Sequence, residues 1–250
     1  MSEADEPISQ HFVENVRRTA SLAMDPARKD ALGQFLTPLP VARFMAGLFE
    51  RWDFPELRLL DAGAGIGSLT AAFLDTWTSR ARPGGHAAVT AYEVDPSMRR
   101  HLGRTLMTYR GAAAAQGLTL QAEVLELDFI EHGTELLLPL NARPRFTHAI
   151  LNPPYKKINS NSPYRRLLHE VGIETVNLYT AFLALAVALL DPGGELVAIV
   201  PRSFCNGPYY RPFRRWMREW AALTHLHLFE SRRKAFADDQ VLQENVIVRW

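Results

Sequence analysis

The sequence predicts an α/β fold: a doubly wound, mostly parallel sheet of seven strands with helices on both faces, preceded by a helical segment. Two observations carry this. Short apolar or β-branched runs near residues 57–60, 88–94, 118–125, 147–151, 195–201, 223–229 and 244–250 alternate with helical patterns near 68–80, 96–116, 177–190 and 209–221. Strand, helix, strand, helix is the order that lays parallel strands beside one another beneath crossover helices. The first run also feeds directly into a glycine-rich turn that opens a helix, and no internal repeat competes with this reading.

The elements follow in order. A helical preface covers about Pro7 to Met24 and Leu39 to Trp52, with Thr37-Pro38 between its parts. Pro38 and Pro40 suit a helix entry, where a missing N–H costs nothing, and Thr37 is placed to cap it. Ser68 to Arg80 opens from the glycine turn, and Asp95-Pro96 reads as a cap and first helical residue for the next helix. Ala181 to Leu190 is the longest apolar run, about half the ~20 residues of a membrane helix, and is expected to be a buried one. Asp191-Pro192-Gly193-Gly194 is expected to stop that helix and turn into the strand Glu195 to Val200. The run Val246 to Trp250 ends the chain in a strand, so residues 1–52 are expected to form the preface and 53–250 the main domain.

The 250 residues are 47% hydrophobic and 22% charged, which excludes a disordered chain and a membrane-spanning one. Cys205 is alone, so no intrachain disulfide forms and a reducing, cytoplasmic setting is favoured. Met1 to Pro7 is acidic and lacks a secretory pattern, so no export is expected. A net charge of +1 neither announces nor excludes a nucleic-acid partner. Between Arg202 and Lys234, however, eight basic residues stand against two acidic ones. This stretch is either a solvated face with packed arginine stems or a grip for phosphates.

Leu57 to Ser68 is a buried strand running into Asp61-Ala62-Gly63-Ala64-Gly65-Ile66-Gly67. Glycines let a ligand approach the backbone, and the following helix presents unpaired amides. Ser68 stands where a dinucleotide fingerprint counted from Gly63 wants Gly or Ala, and a carboxylate ahead of the first glycine suits a cationic amine rather than a pyrophosphate. Glu93, with Val94 at the tip of the second strand, offers a carboxylate to two ribose hydroxyls, while Asp95 serves either there or as a helix cap. Asp128-Phe129 ends the third strand, where an acid can accept from a ring amine and an aromatic can cover the ring; ordinary surface and core are the alternative.

Asn152-Pro153-Pro154-Tyr155, directly after the strand Thr147 to Leu151, is the sharpest signal. Two prolines fix the backbone and remove two amide donors, leaving the Asn152 amide and neighbouring carbonyls as outward-facing acceptors beside the flat face of Tyr155. A planar exocyclic amine fits: hydrogen bonds from its two N–H groups to Asn152 and the Pro153 carbonyl draw its nitrogen toward tetrahedral shape and free the lone pair.

Taken in order, Asp61 to Gly67, Glu93, Asp128 and Asn152 to Tyr155 resemble the S-adenosylmethionine-dependent amino-methyltransferases. With Gly33-Gln34-Phe35-Leu36-Thr37-Pro38 ahead of the turn and Pro201 to Gly207 behind, the chain is similar over most of residues 30–250 to the N6-adenine DNA methyltransferases of restriction–modification systems in gamma motif order. The resemblance implies a Rossmann-like methyltransferase sheet and S-adenosyl-L-methionine as cofactor, with no metal. Gln34, Phe35, Thr37 and Pro38 would border its methionine part, Asp61, Ala62, Gly63, Gly65 and Gly67 its amino-acid end, Glu93 and Val94 its ribose, and Asp128 and Phe129 its adenine. Asn152, Pro153, Pro154 and Tyr155 would act on the target base, and Phe236 is the candidate for stacking on it, a core phenylalanine being the alternative. Double-stranded DNA is the implied partner, with Lys156, Lys157 and Arg202 near its phosphates.

One departure stands out. The family carries a target-recognition region after the catalytic domain, and here that region is expected to be absent, so recognition would come from a longer chain or a separate specificity subunit. The rival readings are a methyltransferase for adenine in RNA or glutamine in protein, a non-catalytic cofactor-binding subunit, and an NAD-linked enzyme, which lacks a hydride-transfer constellation here. His225 and His227 share a strand face but have no third ligand nearby.

Overall fold

Side-chain alternation along the central strands divides the hydrophobic residues into two cores. In the computed structural model, which describes residues 13–17, 19, 36–138, 146–229 and 244–250, the seven strands among them form one sheet. They are β1 (Leu57–Ala62), β2 (His86–Tyr92), β3 (Thr119–Leu125), β4 (Phe146–Leu151), β5 (Leu190–Pro201), β6 (His225–Leu228) and β7 (Asn245–Arg249). Their order is β3-β2-β1-β4-β5-β7-β6. The pairs among β1 to β5 are parallel, and β7 runs antiparallel to both β5 and β6. The expected mostly parallel α/β sheet is therefore what forms.

Leu57 and Leu59 point to one face and Leu60 and Ala62 to the other. The first face is covered by α1 (Leu39–Gly47), α2 (Ser68–Arg80) and α3 (Pro96–Ala115), the second by α4 (Phe129–Leu136), α6 (Leu178–Ala188) and α7 (Arg211–Trp220). Helix α5 (Pro163–Glu170) contributes Leu168 to the second core. Because α6 is apolar on every face but for Thr180, whose hydroxyl donates to the Asn177 carbonyl at 2.9 Å, Tyr179 through Ala188 are buried without exception. Each fully buried leucine there contributes about 1.5–3 kcal/mol relative to exposure. Among the described residues no helix is long and apolar enough to cross a membrane.

Three local expectations are corrected. First, α1 ends at Gly47 rather than Trp52, because the chain beyond is pinned by side chains instead of helix bonds. Glu195 Oε2 accepts from the Glu50 and Arg51 amides at 3.0 and 2.8 Å, and His148 Nε2 bonds the Arg51 carbonyl at 2.7 Å. His148 is enclosed by Phe49, Trp52 and Phe73, and burial pushes its imidazole down to about 4, so it is neutral. Second, Asp191 to Gly194 does not end the element but enters β5 as an irregularity, with a register shift opposite Phe146 and His148 and Gly193 at φ +78°. Third, α4 and α5 fold where no helix was expected. Of the segment Pro7 to Met24, residues 13–17 and 19 are helical and the remainder lies outside the described residues.

Candidate active site

Parallel strands end on the same edge, so the loops after β1, β2, β3 and β4 meet there. After β1 the chain makes the turn Gly63 to Gly67. Gly63, Gly65 and Gly67 have φ of 78°, 58° and 87°, a left-handed region that favours glycine. At Gly67 a Cβ would also lie 2.8 Å from Leu102 Cδ1. The amides of Gly63 and Ala64 both donate to the Tyr92 carbonyl at 2.9 Å, tying the turn to the end of β2.

Glu93 follows immediately. Its two oxygens accept from the Gly65 and Asp95 amides at 2.8 and 2.7 Å, yet burial, the largest influence, raises its pKa above the ordinary carboxylate value. Asp95 resolves as the cap of α3, accepting from the Ser97 and Met98 amides. Asp61 is fully buried. Its Oδ2 accepts from Thr70 Oγ1 at 2.6 Å, its Oδ1 meets no hydrogen-bond partner among the described residues, and burial pushes its carboxyl up to about 7.

Asp128 does two jobs. Oδ1 caps α4 through the Ile130 and Glu131 amides, and Oδ2 accepts from Tyr164 Oη at 2.6 Å. Phe129 is buried against Tyr92 and Phe182, with ring centroids at 4.9 and 5.1 Å. Across the cleft, the Asn152 amide is bracketed by two hydroxyls: Nδ2 donates to Thr37 Oγ1 at 3.0 Å, and Oδ1 accepts from Tyr155 Oη at 3.1 Å. Thr37 therefore does not cap α1, whose N-cap position is Pro38 without a side-chain bond. Its hydroxyl instead reaches a residue 115 positions away.

Two cavities flank Asn152 and Tyr155. The first, about 370 Å³, is lined by Gly63, Gly65, Glu93, Val94, Asp128, Phe129 and Asn152 and roofed by Lys156, Lys157 and Tyr164, a size within the range of small-ligand pockets. The second, about 620 Å³, is lined by Tyr155, Lys157, Asn177, Tyr179, Arg202, Ser203 and Tyr210. Lys157 borders both.

Of the residues singled out from the sequence, Asp61, Ala62, Gly67, Thr37, Pro38 and Pro153 stand outside the walls of both cavities. Arg202 pairs with Glu244 at 3.0 Å. Gln34, Phe35 and Phe236 lie outside the described residues. The His225 and His227 rings lie tilted against Phe44, and no group of three metal-ligating side chains occurs among the described residues. The sequence reading missed Tyr164 as part of the cleft, together with the polar network in which Tyr210 Oη accepts from Asn177 Nδ2 and Ser203 Oγ, with Tyr179 Oη bonded to Ser203. Asn177, a lone amide before a mostly apolar helix, was the available signal.

The profile of the Eco57I restriction-modification methylase family matches residues 113–236. The type II methyltransferase M.BsuBI of Bacillus subtilis is 49% identical over 224 residues, covering 88% of this chain and 43% of that protein. This chain belongs to the restriction–modification methyltransferases. A second member, the type II methyltransferase M.PstI of Providencia stuartii, is 44% identical over 242 residues, covering 96% of this chain and 47% of that protein. The chain thus spans less than half the length of these two relatives. In fold, the chain is similar to a protein of Listeria monocytogenes described as a class I S-adenosylmethionine-dependent methyltransferase, with TM-score 0.66, 14% identity, and 95% of this chain and 67% of that one covered.

Proposed function

We propose that the chain transfers a methyl group from S-adenosylmethionine to the N6 amino group of adenine in cytoplasmic DNA. The observation that carries the reading is the Asn152 amide, anchored to Thr37 and Tyr155, in the wall of the same cavity as the glycine turn and Glu93.

The first cavity fits the cofactor. Each Glu93 oxygen accepts one backbone bond and keeps a lone pair for a ribose hydroxyl. Asp61, buried outside the cavity walls, ties β1 to α2 through Thr70 across the glycine turn rather than meeting the cofactor itself. Positive φ at Gly63 and Gly65 opens the backbone to close approach, and Asp128 faces the adenine. When bound, the cofactor supplies an electrophilic methyl. Asn152 Oδ1 and the Pro153 carbonyl accept the two hydrogens of the target amine, concentrating its lone pair, while Tyr155 presents a ring face to the base.

The second cavity is the seat of the base. A paired adenine cannot reach it, so the nucleotide is extruded from the duplex at a cost of a few kcal/mol. Exposed Lys156, Lys157, Arg166 and Arg211 at this edge grip the flanking phosphates. Sequence readout is assigned to a target-recognition region or separate specificity subunit, since the relatives are about twice as long.

The test is labelled methyl transfer from S-adenosylmethionine to DNA, RNA and protein by the wild type and Asn152→Ala. Label is expected on adenine N6 of DNA, with turnover lower by at least ~100-fold in the variant, the cost of removing a transition-state hydrogen-bond partner. Label in protein or RNA alone overturns the substrate assignment.

A further inference from the structure

Both Asp128 oxygens are fixed, as are those of Glu93, but where Glu93 accepts from two backbone amides, one oxygen of Asp128 is held by a side chain. Oδ1 is held by the first-turn amides of α4, and Oδ2 by the phenol of Tyr164, which reaches back from the start of α5. Both residues line the 370 Å³ cavity. Tyr164 is itself well anchored. Ser162 caps α5 through the Tyr164 amide, and the preceding strap is tied down by Ile158 N to Val176 O and Leu178 N to Lys156 O, both 2.8 Å. Burial and the adjoining carboxylate hold the phenol protonated, so its single hydrogen is committed to Asp128.

We propose that Tyr164 is a positioning residue that sets the base selectivity of the cofactor pocket: by fixing the Asp128 carboxylate as a pure acceptor, it makes the pocket select an adenine amine over a 6-oxo purine. This rests on the proposed function. An ionised carboxylate offers only lone pairs. Tyr164 Oη and the two α4 amides fix the plane in which they point, and the remaining lone pair of Oδ2 accepts from an exocyclic amine. A 6-oxo group at the same place sets acceptor against acceptor, and no hydrogen is available to reconcile them, because the phenol has already given its own. Without the phenol, the carboxylate keeps its bonds to the α4 amides but is released on the Oδ2 side, and it can turn from an unfavourable ring.

The experiment compares binding of S-adenosylhomocysteine and S-inosylhomocysteine by calorimetry to the wild type, Tyr164→Phe and Asp128→Asn, with melting temperature as the folding control. Asn remains a good helix cap, so Asp128→Asn tests the acceptor without unwinding α4. The wild type is expected to prefer the adenine ligand by at least ~10-fold, the value of roughly one charge-assisted hydrogen bond. Tyr164→Phe should reduce the preference below about threefold, and Asp128→Asn, which presents a donor as well as an acceptor, should abolish it. If Tyr164→Phe weakens both ligands equally and keeps the preference, the tyrosine only braces the roof and the proposal is overturned. Failure of the wild type to bind either ligand would remove the functional reading and this proposal with it.

Discussion

Asp61→Asn separates the cost of the site from its use. Asp61 is wholly buried, with one oxygen bonded to Thr70 and the other without a hydrogen-bond partner among the described residues. Burial, the largest influence, lifts its carboxyl from the usual 3.8 to about 7, against the opposing pull of Thr70 and with a smaller push from Glu93. A raised folded-state pKa contributes stability that is complete below the unfolded value near 4 and is lost as pH climbs through 7. About three units at ~1.4 kcal/mol each make the loss roughly 4 kcal/mol at pH 8, against about 1 kcal/mol at pH 4.5. Asparagine carries no charge but places an N–H where the uncompensated oxygen stood, at about 1–3 kcal/mol whatever the pH. The variant should therefore be less stable than the wild type, or equal to it, near pH 4.5, and more stable by about 1–3 kcal/mol at pH 8. The gap should swing by about 3 kcal/mol, read from denaturant unfolding at the two pH values. Binding of S-adenosylmethionine should change little, because Asp61 is buried outside the cavity walls. A gap that does not move with pH refutes the buried-carboxylate reasoning, whatever happens to binding.

Three further outcomes are expected. Gly67→Ala places a Cβ 2.8 Å from Leu102 at φ +87°, and thermal unfolding should show a loss of about 2 kcal/mol or more from backbone strain and overpacking together. Thr37→Val removes the hydroxyl bonded to Asn152 while keeping side-chain volume, so turnover in the methylation assay should fall about 3–10-fold with little change in melting temperature. Replacing Lys156 and Lys157 together by alanine should weaken DNA binding and lower the slope of log affinity against log salt by about two, measured by anisotropy on a labelled duplex.

What was legible in the sequence was whatever depends on local chemistry. The glycine turn, the Asp95-Pro96 cap and the Asn152 to Tyr155 loop directly after β4 are each specified within a few residues, and all appear where expected. The apolar runs fixed the strands for the same reason. Less legible were features set by distant partners. Thr37 read as a cap because it precedes a helix, yet its hydroxyl is claimed by Asn152. Asp128 read as a ring-amine acceptor or as ordinary surface, whereas its carboxylate satisfies two amides of a helix too short to show a period. Ser162-Pro163 is a cap followed by a first-turn proline, a helix-start signal within two residues, but the helix it opens is only eight residues long and shows no clear period. Gly193-Gly194 had the composition of a turn, and residues 191–194 do leave the β4 pairing, which passes from Leu190 to Glu195, although they lie within the bounds of β5.

The placement of Asn152 follows from topology more than from any single contact. Strands β2 and β3 lie on one side of β1, and β4 and β5 on the other, so the chain reverses its direction of growth between β1 and β4 and their crossovers diverge, opening a crevice above that pair. The helical preface is fastened to β4 at two levels: the Arg51 carbonyl to His148 low in the strand, and Thr37 to Asn152 just beyond its end. From His148 to Asn152 an extended chain rises about 13 Å, while the nine residues of α1 rise about as much at ~1.5 Å each. The helix thus has the length required to engage both levels at once. A shift of one attachment would pull on the other, which is why the Asn152 amide is positioned by a segment more than a hundred residues earlier in the chain.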